Sequence, residues 1–325
     1  MGRHSFRVSW PALPAALLAA LVLAACTAPG AASDPLPAPT PAPVISIQQA
    51  RQAAAHPTLG VAGLPDPNSN SQAGRTGLVD VGGYRLFIAC LGTGSPTLIL
   101  ESAQGSPTNA WGAIPFDLAA YTQVCLYERA GIGLSDPAPS APRTVNDAVR
   151  DLQALLAGFD VSGPYVIVAH GYGGLIARQI AAAAPRQVVG LVLIDALHES
   201  AIDPESGLAP PAENLEQIDW AASAEQVRAA RSALSIPLAV IMHGASGLMP
   251  DRTLAESAEL RDVWAAQQRD LLTLSSNSWL TVAYTGEHFA PLYARELIGA
   301  EARRVVALAR LQADPPGRAP IPKAN

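Results

Sequence analysis

The sequence predicts an α/β domain built on a mostly parallel, doubly wound sheet. From Gly77 onward, short apolar runs alternate with stretches of helical periodicity, and the later apolar runs are almost unbroken. Strands covered on both faces by crossover helices require that pattern. Residues 76–313 form the stretch in which it holds, a length that suits one large α/β domain.

The elements follow in order. Residues 84–90, 97–100, 124–127, 165–169, 191–194, 238–242 and 279–283 are short apolar runs and read as strands. Val145, Val149, Leu152, Leu155 and Leu156 fall at helical spacing, with Thr144 as N-cap and Gly158 near the end. Residues 175–184 are alanine-rich and stop at Pro185, and longer helical patterns cover 253–274 and 294–311. An insertion at 199–236 breaks the alternation. It opens with Pro204, Pro210 and Pro211 and turns helical over 224–234. In this architecture it is expected to lie over the carboxyl ends of the strands as a small lid.

The N-terminus points to export. Arg3 and Arg7 precede an apolar run without charges that ends Leu23-Ala24-Ala25-Cys26. A run this short suits a signal-peptide core better than a membrane span of about 20 residues. The ending is that of a bacterial lipoprotein signal over 1–25, with lipid placed on Cys26 after cleavage and the domain held at the cell envelope, outside the cytoplasm. Residues 26–75 are rich in proline and alanine and read as a tether. Residues 314–325 carry four prolines and read as an irregular tail.

The chain has 21 basic and 27 acidic residues, a formal charge of −6. Loss of Arg3 and Arg7 leaves 19 − 27 = −8. A mildly acidic surface speaks against nucleic acid as a partner. No cofactor or metal motif is read. With Cys26 assigned to lipid, Cys90 and Cys125 remain, both in strand segments. They are either paired, which an exported location permits, or buried thiols.

Three segments carry a family resemblance: Cys90-Leu91-Gly92-Thr93-Gly94-Ser95-Pro96, Tyr127-Glu128-Arg129-Ala130-Gly131-Ile132-Gly133-Leu134-Ser135-Asp136 and Ala169-His170-Gly171-Tyr172-Gly173-Gly174. With the stretches 191–199 and 264–288, they resemble a group of bacterial α/β-hydrolases over essentially the whole domain. The resemblance implies an α/β-hydrolase fold with eight strands and a lid after the sixth. It also places the second and fourth strands side by side, which predicts a Cys90–Cys125 disulfide.

The departures from the family bear on function. The turn after the fifth strand holds a serine nucleophile in the family, and here the position is Gly171. Glycine has no hydroxyl, so no acyl-enzyme forms there. His288 stands in the place of the general base, and the backbone N–H groups of Gln104 and Tyr172 in those of the oxyanion donors. The acid is displaced. Glu199, in His198-Glu199-Ser200, is the first candidate, with Asp203 and Asp251 as alternatives. Ala103 replaces a glycine, Glu128 an aspartate and Glu287 a glycine, while His170 and His198 read as structural neighbours of the site. Two functions follow. One is a non-catalytic binder, a pseudoenzyme, of a small apolar or ester-like ligand or of a protein partner. The other is an ester hydrolase using water activated by His288, or a displaced serine at Ser102 or Ser200.

Overall fold

The structure, a computed structural model, describes residues 74–206, 208, 214–244, 254–283 and 294–313. All of them belong to the compact unit Ala53–Asn325. Its strands are β1 (Arg75–Asp80), β2 (Arg85–Leu91), β3 (Thr97–Glu101), β4 (Val124–Tyr127), β5 (Tyr165–His170), β6 (Val188–Ile194), β7 (Leu234–His243) and β8 (Ser275–Ala283). They form one 8-stranded sheet in the order β1-β2-β4-β3-β5-β6-β7-β8. Pairing is antiparallel for β1–β2 and β2–β4 and parallel from β4 onward.

Side chains alternate across the sheet with the strand period of two and feed two apolar layers. On one face Ile88, Ile99, Ile167 and Leu193 pack under α2 (Val145–Gly158) and α3 (Gly173–Ala183). On the other, Phe87, Leu98, Val166 and Val192 pack under α1 (Ile114–Ala119) and α6 (Arg295–Ala313). The start of α2 is fixed as its sequence suggests: the Asp147 carboxylate accepts the Thr144 backbone N–H at 2.7 Å, closing a capping box.

Several elements differ from the expectation. β1 was not among the apolar runs, because Arg-Thr-Gly-Leu-Val-Asp is an edge strand with mostly exposed side chains. It begins at Arg75, the last residue given to the tether. β7 and β8 each start about four residues earlier than their apolar runs, where Leu234 pairs with Ser275 and Pro237 with Asn277 at the sheet's end. The helix of the insertion, α4 (Trp220–Ala230), begins before 224 because Asp219 caps it, accepting the Ala222 N–H at 2.9 Å. It ends before 234, which already belongs to β7. The remaining helix is α5 (Leu254–Leu271).

Cys90 and Cys125 face each other across β2 and β4 and are joined in a disulfide. They lie 35 residues apart. Closing a loop of that length in the unfolded chain stabilises by roughly 3–4 kcal/mol on the chain-entropy model.

Candidate functional site

The carboxyl ends of the parallel strands gather around the turn between β5 and α3. Gly171 sits there at φ 54°, a left-handed conformation that glycine adopts without steric cost. Its N–H donates to the Ile194 carbonyl at 3.1 Å, and its own carbonyl accepts the N–H groups of Gly174 and Leu197 at 3.0 and 2.8 Å. A Cβ at Gly173 would lie 2.6 Å from the Glu101 carbonyl oxygen, and one at Gly174 would lie 2.5 Å from the Ala196 Cβ. Two glycines in succession therefore let the turn press against the ends of both β3 and β6. Tyr172 is buried at the head of α3, its ring edge-on to Trp220 of α4 at 5.3 Å.

Arg129, just after β4, organises the loop that follows β3. Its guanidinium is buried and donates to the Glu101 carboxylate, to the Ser102 and Ala103 carbonyls at 2.8 Å each, and to both oxygens of Glu216 at 2.6 and 2.8 Å. Glu216, from the insertion, also accepts the Gly105 N–H at 2.7 Å. The loop carrying Gln104 is thus pinned on both sides, and Gln104 Nε2 reaches Asn214 of the insertion at 3.4 Å. The Arg129 guanidinium lies 5.2 Å from the Tyr172 ring, so Tyr172 and the loop that carries Gln104 share this neighbour. Burial raises the Glu101 carboxyl above its ordinary range, with Arg129 opposing. A cavity of about 20 Å³ beside Tyr172, lined also by Arg129, Glu216 and Ile218, has room for about one water.

Glu199 is not set toward this turn as a free carboxylate. It is buried, with one oxygen 2.6 Å from Arg178 of α3 and the other 3.4 Å from Arg231. Burial pushes its carboxyl up, but the hydrogen bond and charge of Arg178, with His198 adding, outweigh that and hold it at about 2. It acts as an anchor between α3 and the insertion. Asp203 is bound by Arg228 at 2.6 Å. Ser102 is buried and accepts the Trp111 indole N–H at 2.9 Å, a structural use of its hydroxyl. Glu128 caps two loops, accepting the Thr108 N–H at 3.2 Å and the Leu134 N–H at 2.6 Å. His288, Glu287, Asp251 and Cys26 lie outside the described residues.

Sequence reasoning missed an aspartate–histidine pair beside the turn. Asp195 follows β6, is fully buried and holds φ 41°, a conformation that costs a non-glycine residue of order 1 kcal/mol or more. Its Oδ1 lies 2.9 Å from His243 Nδ1 and accepts the His243 backbone N–H, also at 2.9 Å. Its Oδ2 is buried and has no hydrogen-bond partner among the described residues. Both residues sit one step past an apolar strand run, at the carboxyl ends where parallel sheets place their sites. That position is the signal that could have found them. The pair can hold a proton next to a turn that lacks a hydroxyl. Among the described residues no group of three His, Cys, Asp or Glu side chains could hold a metal ion.

The His243–Asp195 pair makes a pH prediction. The hydrogen bond to Asp195 raises the His243 imidazole above its ordinary 6.5, with burial opposing and the carboxylate's charge adding. A folded-state pKa above the unfolded one gives stability that is complete below about 6.5 and is lost as pH rises through the folded value. The unfolding free energy of the wild type minus that of His243→Asn should therefore shrink between about pH 6 and pH 8. A difference that stays flat across denaturant titrations in that window would exclude the charged pair.

The chain matches the model of the alpha/beta hydrolase family over residues 105–324. It is 33% identical over 104 residues to YqjL, an uncharacterised protein of Bacillus subtilis, across 32% of this chain and 41% of that protein. To an AB hydrolase superfamily protein of Gibberella zeae it is 31% identical over 107 residues, 32% of this chain and 33% of the relative. The chain thus spans less than half the length of these relatives. A loop variant of the haloalkane dehalogenase DbeA from Bradyrhizobium elkanii superposes with a TM-score of 0.57 at 14% identity, over 75% of this chain and 100% of that one. The 2-hydroxy-6-oxo-6-phenylhexa-2,4-dienoate hydrolase of Rhodococcus sp. strain RHA1 gives 0.53 at 17% identity, over 72% and 99%. At such identities the likeness is one of fold. The matched model and the fold together make this chain a member of the alpha/beta hydrolase family.

Proposed function

We propose that this chain is an exported, lipid-anchored α/β-hydrolase-fold protein in which the β5–α3 turn is a nucleophile elbow without its serine. The cleft over that turn then binds a small apolar or ester-like ligand and forms no acyl-enzyme with it. The observation that carries the reading is Gly171 itself, at φ 54° in a turn held by the bonds of Gly171 to Ile194, Gly174 and Leu197. A serine there would bear backbone strain of order 1–3 kcal/mol, which a catalytic site tolerates for the sake of its chemistry and a binding site has no need of. Water activated by His288 is the weaker reading, because loss of the nucleophile in serine hydrolases lowers turnover about 10⁶-fold.

The insertion serves as the lid of this cleft. Glu216 ties it to Arg129 and Gly105, and Trp220 ties it to Tyr172. Since the cavity beside Tyr172 has room for about one water, a ligand enters there when the insertion shifts. Truncating Glu216 leaves Arg129 short of a buried partner, a loss that typically costs about 3–5 kcal/mol when both charges are deeply buried.

Two experiments test the reading. Gly171→Ser should become labelled by a serine-directed fluorophosphonate within the tryptic peptide 151–178, gain esterase activity, and lose about 1–3 kcal/mol of stability. A variant that is neither labelled nor destabilised would remove the elbow assignment. Cys26→Ala should release the protein from the membrane fraction or block its maturation, on the strength of the Leu23-Ala24-Ala25-Cys26 ending. Unchanged membrane association and maturation would dismiss the lipid anchor.

A further inference from the structure

Beyond the elbow, the loop that leaves β6 carries a serine and a histidine that run in series to an aspartate of α5. Ser200 Oγ lies 2.8 Å from His198 Nδ1, and His198 Nε2 lies 2.9 Å from Asp270 Oδ2 of α5. We propose that Ser200 is a nucleophile separate from the elbow, with His198 as its base and Asp270 orienting that base, and that it takes the acyl group of small activated esters. The proposal goes beyond the reading of the elbow and does not use Gly171.

The hydrogen bonds fix the tautomer. The Ser200 backbone N–H donates to the same His198 Nδ1 at 3.1 Å, so that nitrogen carries a lone pair and the ring proton sits on Nε2. Nε2–H then points at Asp270, with a Glu199 oxygen 3.5 Å away. The Ser200 hydroxyl, facing the same accepting nitrogen, shares that nitrogen's one lone pair with the Ser200 backbone N–H, and in the reaction the hydroxyl proton passes to that lone pair as the weaker N–H contact gives way. Gln267 Nε2 donates to Ser200 Oγ at 3.1 Å, which leaves the serine oxygen one lone pair free to attack. Asp270 is itself held by Arg231 at 2.8 Å. Burial alone would raise its carboxyl, but its bonds to His198 and Arg231 keep it below the ordinary range and so ionised. A nucleophile bonded to a base that is oriented by a third group is the arrangement that activates serine.

The step balances. Ser200 Oγ bonds to the ester carbonyl carbon as its proton passes to His198 Nδ1. The imidazolium that forms is flanked by the carboxylates of Asp270 and Glu199. When the carbonyl re-forms, the bond to the leaving oxygen breaks and His198 returns the proton to it, releasing an alcohol or phenol. Water, deprotonated by the same nitrogen, then cleaves the acyl-serine ester and regenerates Ser200. Among the described residues, Gln267 is the side-chain amide that donates at the serine oxygen, and its Oε1 is buried with no hydrogen-bond partner there. That donor meets the attacking oxygen rather than a carbonyl oxygen and makes no oxyanion hole, so the substrate must bring its own good leaving group, as aryl esters do. Ser200 is partly exposed and the Asp270 side chain is 43% exposed, with His198 buried between them.

A purely structural role for His198 would be to cap the turn at Glu199–Ile202 by accepting the Ser200 N–H. His198→Asn separates the two roles, since asparagine caps well but is no base. The test treats the full chain with an alkyl fluorophosphonate and p-nitrophenyl acetate and maps the adduct by peptide mass. The adduct is expected on the tryptic peptide 187–228, which contains Ser200, and to vanish in Ser200→Ala. His198→Asn should slow labelling about 10²–10⁴-fold at an unchanged melting temperature. Should that variant unfold, Asp270→Asn, at a half-exposed position, should slow labelling at least about tenfold. No adduct on the wild type, an adduct elsewhere, or a rate indifferent to both His198→Asn and Asp270→Asn would overturn the proposal. Because an elbow adduct falls in peptide 151–178, failure here and failure of the elbow reading are read separately.

Discussion

The close approach of the β5–α3 turn to its two neighbours sets the geometry of the whole mouth. Gly173 and Gly174 leave no room for side chains, so the turn lies directly on Glu101 at the end of β3 and on Ala196 after β6. Each contact starts a chain of consequences. From Glu101 the path runs through Arg129 to Glu216, and so couples the β3 loop to the insertion. From Ala196, whose carbonyl accepts Gln268 of α5 at 2.8 Å, it runs to His198 and Ser200, where Asp270 and Gln267 come in from the same helix. One turn thus links the network of Arg129 and Glu216 to that of His198 and Ser200.

Charge explains why the mouth holds its shape. A buried guanidinium is costly unless it is paired and its remaining donors are satisfied. Arg129 meets both conditions with two carboxylates and two carbonyls. The insertion supplies one of those carboxylates, so moving it breaks the pairing. The cluster of Arg178, Glu199, Arg231 and Asp270 on the other side follows the same logic and keeps Glu199 ionised. These networks hold the loops where parallel strands alone would leave them free to vary.

The sheet was largely legible because buried strands must be apolar, and the runs around Ile99, Ile167 and Leu193 announce themselves. Arg75–Asp80 did not, since an edge strand with one covered side needs little apolar surface. Thr144 and Gly158 marked α2, whereas the start of α4 depended on Asp219, one polar residue among several in a proline-rich stretch. At the site, the tight turn at Gly171 could be read from the local glycine spacing. Asp195 with His243, and His198 with Asp270, could not. They are brought together across 48 and 72 positions by strand order and helix packing, which no local pattern records. Glu199 shows the converse: its place in the sequence suggested a catalytic acid, and two arginines from other elements make it an anchor.

The central claim is that the cleft over Gly171 binds an ester without cleaving it, and one sample can test that. Ser200→Ala protein, which removes the second nucleophile, would be titrated with a short aryl ester while NMR follows both the Tyr172 ring and the ester signals. The account predicts saturable shifts of the Tyr172 resonances while the ester stays intact at the rate of its buffer control. Ester turnover that saturates together with the Tyr172 shifts would contradict it.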